Sequence, residues 1–210
     1  MRILDSEFLW GVFLSYLIGS APTAYIVSKI VSGIDIRKHG SGNVGATNVL
    51  RVLGKRWAGL VLLVDIVKGV LVVGMLPLLF GVPSSVCFLS LVSLGCVAGH
   101  NWPIFLRFKG GKGVATTLGV ILGLGSYEPR FFLILLLCLG MWVLFFLLFK
   151  IVSLSSLAAG VSLPLFTFFL CKDFILLSLI LFILLFLRHS SNIKRMLAGK
   201  EKPIKFNQPS

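Results

Sequence analysis

Long apolar runs separated by short polar stretches make up most of this chain. The seven runs are about Phe8–Ile30, Trp57–Phe80, Pro83–Ala98, Val114–Gly125, Phe131–Phe149, Leu157–Leu170 and Phe174–Leu187. A helix crosses the hydrocarbon core of a bilayer with about 20 apolar residues, in a range of about 17–25. The shorter runs are therefore candidates for half-spanning or re-entrant segments. The pattern predicts an all-α, polytopic membrane helix bundle of about seven transmembrane helices, of which five to seven cross fully, in one domain over residues 1–210.

Composition agrees with a membrane protein, since 57% of the residues are hydrophobic, 13% are charged and the mean hydropathy is +1.02. The net charge of +13 comes from residues in the gaps between the runs. If all seven runs cross, sixteen of the 20 Lys and Arg residues lie on one side, against Arg2, Arg130 and Lys172 on the other. Cytoplasmic loops carry such an excess. We therefore expect the N-terminus outside, the C-terminus in the cytoplasm and no nucleic-acid partner.

Two charged residues interrupt the second apolar run. Asp65 and Lys68 are three residues apart, so they lie on one face of a helix. Ionisable residues at membrane depth are costly and usually face the bundle interior. One interpretation is a proton or ion path, and the other is an internal pair that fixes a helix or supports a nearby site. The second is favoured, because no other run carries an acid to extend a relay.

Polar, glycine-rich stretches interrupt the apolar pattern on the basic side of the bundle. They cover residues 34–56, 99–117 and 188–195, with a shorter hydroxyl-rich stretch at 152–157. The first contains G-x-G-x-x-G at Gly40, Gly42 and Gly45, but the dinucleotide fingerprint requires a preceding strand and a soluble βαβ unit. The GGKG of the second is not a P-loop, because no Ser or Thr follows Lys112. Neither stretch predicts a nucleotide site of those two kinds.

Both glycine-rich loops nevertheless have the features of an anion site. Glycine lets successive N–H groups turn toward one concavity, and a helix N-terminus adds partial positive charge. The sequences Ser41-Gly42-Asn43 and Lys109-Gly110-Gly111-Lys112-Gly113 each precede a predicted helix. The alternative is that the glycines permit close helix packing and the cations only set orientation. Two such loops on one side, together with Arg188, His189 and Asn192 at converging helical spacings, favour a phosphate site.

The residue types also limit the chemistry. Asp35 is the only acid in the loops of the basic side ahead of the tail, too few for carboxylate binding of Mg²⁺. The cysteines (Cys87, Cys96, Cys138 and Cys171) show neither zinc spacing nor a disulfide framework. We therefore expect a phosphorylated substrate handled at the membrane without a metal or cofactor. The rival classes are a transporter for a phosphorylated anion and a non-enzymatic lipid-binding protein.

Five segments, taken in order, resemble a known family. They read GSAPTAYI, IRKHGSGNVGATNVLRVLG, GHNWPIFLRFKGGKGVATTLG, VSLSSLAAG and RHSSNIKRMLAG. They are similar to the bacterial acyl-phosphate-dependent glycerol-3-phosphate acyltransferases, the PlsY family. The resemblance implies a seven-helix protein of the bacterial inner membrane, with its active site at the cytoplasmic face. It also implies acyl transfer from acyl phosphate to the 1-hydroxyl of sn-glycerol 3-phosphate, giving lysophosphatidate and inorganic phosphate as the first step of phospholipid synthesis.

The resemblance also suggests roles for particular residues. Ser41, Lys112 and His189 are the expected catalytic residues, with His189 as general base unless a substrate phosphate takes the proton. Asn48, Arg51, Lys109, Arg188 and Asn192 are expected to bind glycerol 3-phosphate. Gly42, Asn43, Gly110, Gly111, Gly113, Ser155 and Ser156 are expected to bind acyl phosphate, although the two serines could instead only cap a helix. Besides its substrates the protein is expected to contact membrane lipid, as a monomer or weak oligomer.

Overall fold

The computed structural model describes residues 6–81, 85–201 and 203. These residues form α-helices joined by loops and short 3₁₀ turns, which confirms the all-α prediction. The start of the apolar run at Pro83 lies outside the described residues. The helices are α1 Ser6–Gly19, α2 Thr23–Ser32, α3 Ala46–Leu53, α4 Lys55–Leu79, α5 Val86–Asn101, α6 Val114–Leu124, α7 Arg130–Phe149, α8 Val152–Leu170, α9 Ile175–Arg188 and α10 Ser190–Leu197.

Five helical segments of the described chain are long and apolar enough to cross a membrane. They are Ser6–Ser32, Lys55–Leu79, Val86–Leu106, Arg130–Phe149 and Val152–Leu170. A sixth is added if Lys172–Arg188 and Ser190–Leu197, bent by 59°, act as one span. Helix α6 has 11 residues, a length of about 16 Å at about 1.5 Å per residue, against a hydrocarbon core of about 30 Å. The described residues therefore contain five or six apolar spans and the shorter apolar helix α6, and the predicted orientation stays a prediction.

The first span is broken between α1 and α2. Helix α1 ends at Gly19 and α2 begins at Thr23, because Pro22 has no N–H to donate to the preceding turn. Irregular backbone at membrane depth is tolerated where protein groups satisfy it. The carbonyl of Ala21, in the break, accepts hydrogen bonds from the Thr23 N–H and from Lys68 Nζ, at 3.1 and 3.3 Å. The break thus supplies a hydrogen-bond acceptor, the Ala21 carbonyl, to the Lys68 ammonium on α4.

The chain divides into two compact units, Met1–Pro129 and Arg130–Ser210, and the single-domain organisation stays a prediction. In the first unit, α4 packs on α6 and α1 packs on α5. Glycine makes both approaches possible, since a Cβ on Gly19 would overlap the Cys96 carbonyl and one on Gly119 the Ile66 carbonyl. Small residues at membrane helix interfaces permit this closeness. These two helix pairs form the scaffold for the loops described below.

The second unit is built from α7 to α10. Helix α8 lies against both α7 and α9. The Phe131 and Phe174 rings meet edge to face with centroids 5.1 Å apart, and Trp142 Nε1 donates to Ser156 Oγ at 3.3 Å. His189 stands at the bend between α9 and α10. The bend places the polar residues of α10 directly after the last apolar helix.

Candidate active site

The loop between α2 and α3 begins with a local ion pair. Asp35 accepts from the Arg37 backbone N–H at 3.0 Å and pairs with the Arg37 guanidinium at 2.7 Å. The hydrogen bonds from the Arg37 side chain lower the pKa of Asp35 to about 2. Arg37 also lies over the Tyr25 ring, 5.2 Å from its centroid. The one acid of this loop is therefore paired within it.

Asn48, on the first turns of α3, holds the loop together. Its Oδ1 accepts from the Ser41 backbone N–H at 2.7 Å. Its Nδ2 lies within hydrogen-bond distance of the carbonyls of Ile36, His39 and Asn43, at 3.3, 3.0 and 3.0 Å. The Asn48 side chain is buried, and both its oxygen and its nitrogen bond to the loop backbone. Asn48 therefore sets the shape of the loop. Its expected contact with glycerol 3-phosphate stays a prediction.

The tip of this loop turns at glycine and presents a serine. Gly40 and Gly42 have φ of 59° and 72°, a left-handed conformation that favours glycine. Ser41, between them, is exposed, and so is Arg51 at the far end of α3. The tip therefore combines a hydroxyl with a turned backbone ahead of a helix, the arrangement expected for an anion site.

The second loop, between α5 and α6, is tightly wound. Arg107 and Phe108 have φ of 53° and 62° although neither is glycine, a conformation uncommon for such residues. The Gly111 N–H then donates to the His100 carbonyl at 3.0 Å, and Gly113 ends the loop with φ of 79° as the cap of α6. Lys109 is exposed and Lys112 is half-buried, so two cations and a helix N-terminus meet here.

The structure brings the two glycine-rich loops together. A Cβ on Gly111 would lie 2.7 Å from the Val44 carbonyl oxygen of the first loop and would overlap His100 Nε2. Gly110 and Val44 also line one small cavity with Thr23, Asp65 and His100. The two glycine-rich loops, for each of which the sequence predicted anion binding, are therefore neighbours in the first unit.

A buried polar cluster lies on the same cavity. Lys68 Nζ lies 2.8 Å from Asp65 Oδ1 and 2.9 Å from His100 Nδ1, and Thr23 Oγ1 donates to Asp65 Oδ1 at 3.1 Å. This confirms that Asp65 and Lys68 share one helix face. Sequence reasoning did not connect them to His100, which is 32 residues away. The signal available was only that His100 directly precedes a polar, glycine-rich loop.

In the second unit, His189 is buried and its orientation is fixed. Its Nδ1 lies 2.8 Å from the Leu185 carbonyl oxygen. A carbonyl oxygen only accepts, so Nδ1 carries the hydrogen, and in the neutral ring the lone pair is on Nε2. Arg188 precedes it at the end of α9. The ring is therefore in the tautomer that accepts a proton at Nε2.

Glu201 joins three polar groups of the same unit. It accepts from Ser153 Oγ at 2.7 Å, from Asn192 Nδ2 at 2.6 Å and from Arg195 Nε at 2.6 Å. Burial acts to raise the pKa of Glu201, but these hydrogen bonds outweigh it and the pKa lies below its usual value. The sequence analysis missed Glu201. Its signal was a lone acid in a basic tail, too weak to identify partners that lie six, nine and 48 residues away.

The hydroxyls of the stretch at 152–157 bond mainly within their own helix. Ser155 Oγ donates to the Ile151 carbonyl at 3.0 Å and Ser156 Oγ to the Val152 carbonyl at 2.9 Å. Neither hydroxyl accepts from an N–H group at the start of α8, so the helix-cap alternative is not observed for them. Both residues are buried. Their contact with acyl phosphate stays a prediction.

Among residues 6–81, 85–201 and 203, no three His, Cys, Asp or Glu side chains are grouped so that they could hold a metal ion.

The expected site residues are divided between the two units of the chain. The first unit holds Ser41, Gly42, Asn43, Asn48, Arg51, Lys109, Gly110, Gly111, Lys112 and Gly113, and the second holds Ser155, Ser156, Arg188, His189 and Asn192.

Known proteins resemble the chain over almost its whole length. A glycerol-3-phosphate acyltransferase of Prochlorococcus marinus (strain NATL2A) is 43% identical over 199 residues, covering 92% of this chain and 96% of the relative. Another, of Thermotoga petrophila, is 43% identical over 198 residues, covering 93% and 96%. Both matches include the two glycine-rich loops and the residues around His189, since so little of the chain lies outside them.

Solved structures resemble it as well. The crystal structure of PlsY (YgiH), an integral membrane glycerol 3-phosphate acyltransferase, in its glycerol 3-phosphate form has a TM-score of 0.83 at 36% identity, covering 94% of this chain and 96% of that one. Its lysophosphatidic acid form has a TM-score of 0.81 at 36% identity, covering 95% and 96%. A model of the family described as glycerol-3-phosphate acyltransferase matches residues 9–199. The chain therefore belongs to the glycerol-3-phosphate acyltransferase family of integral membrane proteins.

Proposed function

We propose that this acyltransferase moves a fatty acyl group from acyl phosphate to the 1-hydroxyl of sn-glycerol 3-phosphate. The products are 1-acyl-sn-glycerol 3-phosphate and inorganic phosphate. The observation that carries the proposal is the approach of Gly111 to Val44, which makes neighbours of two glycine-rich, basic loops. Two adjacent anion sites suit a reaction whose donor and acceptor each carry a phosphate. The solved relatives in glycerol 3-phosphate and lysophosphatidic acid forms support the acceptor and the product.

The chemistry needs little from the protein beyond positioning. An acyl phosphate is a mixed anhydride, so attack of the glycerol oxygen on its carbonyl carbon breaks the bond to phosphate, which leaves with the electron pair. Holding two reactants in line is worth about 7–11 kcal/mol of barrier. N–H donors aimed at the developing oxyanion contribute further, by about 3–4 kcal/mol for one such donor in a serine protease. The two loops offer the Ser41 hydroxyl and the positive charge of Lys109 and Lys112 for this purpose.

In this proposal the loop tip at Ser41, Gly42 and Asn43 and the loop around Lys112 hold the acyl phosphate and its departing charge. Gly110, Gly111 and Gly113 contribute turned backbone to the second loop, and Ser155 and Ser156 stay candidate contacts. Glycerol 3-phosphate is held by Arg51, Lys109, Arg188 and Asn192, with Asn48 shaping the loop.

His189 accepts the proton of the attacking hydroxyl in this proposal. Imidazole is the side chain that titrates nearest neutral pH, and the Leu185 carbonyl already fixes the hydrogen on Nδ1. The alternative acceptor is a phosphate oxygen of a substrate. His189→Ala distinguishes the two, because a substrate phosphate would sustain turnover without the ring.

The decisive experiment uses the purified protein in detergent with labelled glycerol 3-phosphate and palmitoyl phosphate. EDTA is added, and CoA and acyl carrier protein are left out. The expected result is lysophosphatidate and inorganic phosphate in equal amounts. A parallel reaction with palmitoyl-CoA tests the competing donor, and transfer from the thioester alone would refute the acyl phosphate assignment. No product with either donor from folded protein would refute the function as proposed.

The proposal includes a location. We infer a multi-pass protein of the bacterial inner membrane with the two loops at the cytoplasmic face, since the basic residues concentrate on that side of the predicted topology. Single cysteines are placed at Ser41 and at Gly81 in a variant whose four native cysteines are replaced by alanine, and labelling with a membrane-impermeant maleimide tests the orientation. The expected result is labelling of position 81 in intact spheroplasts and of position 41 only after lysis, and the reverse pattern would refute it.

A further inference from the structure

The ion pair inside α4 has a third partner, His100, which lies near the end of α5 directly before the second glycine-rich loop. An ammonium group has three N–H donors and no acceptor. Three acceptors surround Lys68 Nζ: Asp65 Oδ1 at 2.8 Å, His100 Nδ1 at 2.9 Å and the Ala21 carbonyl at 3.3 Å. Each donor of the charged lysine therefore has an acceptor.

This arrangement fixes the state of His100. Because the Lys68 ammonium can only donate, His100 Nδ1 accepts, and the neutral ring carries its hydrogen on Nε2. Nε2 lies against Gly111, where a Cβ would overlap it. The His100 carbonyl accepts from the Gly111 N–H at 3.0 Å. One histidine thus contacts the same loop glycine through its ring and its backbone.

We propose that Asp65, Lys68 and His100 are positioning residues that hold the loop Lys109–Gly113 in its anion-binding shape. Asp65 pairs with Lys68 and orients it, Lys68 fixes the His100 tautomer, and His100 supports Gly111. The inference rests on the proposed function only for the identity of the anion that the loop binds. None of the three residues is assigned a contact with the reacting atoms.

The cost of burying charge favours this role over a packing role. Asp65 and Lys68 are 2% and 5% exposed, and a buried ion pair is often no more stabilising than apolar residues of the same size. An apolar pair would pack α4 equally well, but it would donate nothing to His100. With the charged pair, the Lys68 ammonium can only donate, so His100 Nδ1 has to accept.

The test compares three variants with the wild type. His100→Asn keeps an oxygen that can accept from Lys68 but loses the ring that reaches Gly111. Asp65→Leu with Lys68→Met removes both charges together, which leaves no unpaired one. Ser93→Ala is the matched control, since Ser93 is buried in the same helix as His100 and donates to the Leu89 carbonyl of its own helix.

The first measurement is hydrogen–deuterium exchange of the backbone N–H groups from Gly110 to Val114, followed by mass spectrometry. The expected result is faster exchange in His100→Asn and in the double variant by about tenfold or more, and no change in Ser93→Ala. Exchange equal to wild type in His100→Asn would overturn the proposal. This readout requires no turnover, so it decides the support of the loop even if the proposed donor is wrong.

The second measurement is steady-state kinetics on the same proteins. The expected result is a KM for palmitoyl phosphate raised about tenfold, with a rise in the KM for glycerol 3-phosphate as well, because Lys109 belongs to the same loop. Loss of turnover in proportion to lost folded protein, with both KM values unchanged, would show a merely structural role and refute the positioning role. A wild type inactive with palmitoyl phosphate but active with palmitoyl-CoA would instead refute the proposed donor.

Discussion

The substitution Gly111→Ala tests whether the close approach of the two loops is required. The new Cβ would lie 2.7 Å from the Val44 carbonyl oxygen and would overlap His100 Nε2. An ordinary contact begins near 3.4 Å, so the loops must separate by roughly 0.7 Å, the difference between 3.4 and 2.7 Å. Overpacking of this kind costs about 1–3 kcal/mol in stability, and a misplacement of about 1 Å at a reacting centre costs about 100-fold in rate.

The assay is the initial rate of lysophosphatidate formation, with the thermal midpoint measured on the same sample. Gly59→Ala is the matched control, because Gly59 lies in α4 of the same unit and a Cβ there meets nothing within 4 Å. We expect Gly111→Ala to lose about 100-fold in kcat/KM while it stays folded, and Gly59→Ala to keep wild-type activity. Wild-type kcat/KM in Gly111→Ala would refute the reasoning that loop spacing controls the reaction.

Three further predictions concern single side chains. Lys112→Ala is expected to lower kcat by about 100-fold or more if the ammonium stabilises departing charge, and a change in KM alone would limit Lys112 to binding. His189→Ala is expected to lower kcat by about 100-fold as loss of a general base, and wild-type turnover would remove His189 from catalysis. Glu201 has a pKa below its ordinary 4.5, so its stabilisation is present above pH 4.5 and is lost as the pH falls through the lower folded value. The difference in thermal midpoint between wild type and Glu201→Gln should therefore shrink below pH 4.5, and a difference that stays constant to lower pH would contradict this.

Most of the helices could be predicted from the sequence because the bilayer imposes a simple rule on length and polarity. The run Phe131–Phe149 differs from helix α7, Arg130–Phe149, by one residue, since only an apolar helix of that length satisfies its backbone in lipid. The run Phe8–Ile30 contains a break that periodicity alone does not reveal. Pro22 lies at the break, but the hydrogen bond that the Ala21 carbonyl accepts comes from Lys68, 47 positions away.

The glycine-rich loops could be located for a similar local reason. Gly42 and Gly113 occupy left-handed conformations that their residue type already permits. The partners of His100 and Glu201 could not be predicted, because a hydrogen bond between distant side chains leaves no spacing in the sequence. Chemistry that depends on local backbone was therefore visible in the sequence, and chemistry that depends on tertiary contacts was not.

The break in the first span has a consequence for how the protein is made. Lys68 enters the membrane on a later segment than Ala21 and Thr23, so a ribosome delivers the broken helix before the charges that it receives. Thr23 and the Ala21 carbonyl can therefore meet Asp65 and Lys68 as soon as α4 leaves the insertion machinery. His100 arrives 32 residues after Lys68 and completes a cluster that has already been assembled. The order of synthesis thus makes the partners Thr23 and Ala21 available before the buried charges of α4 are made.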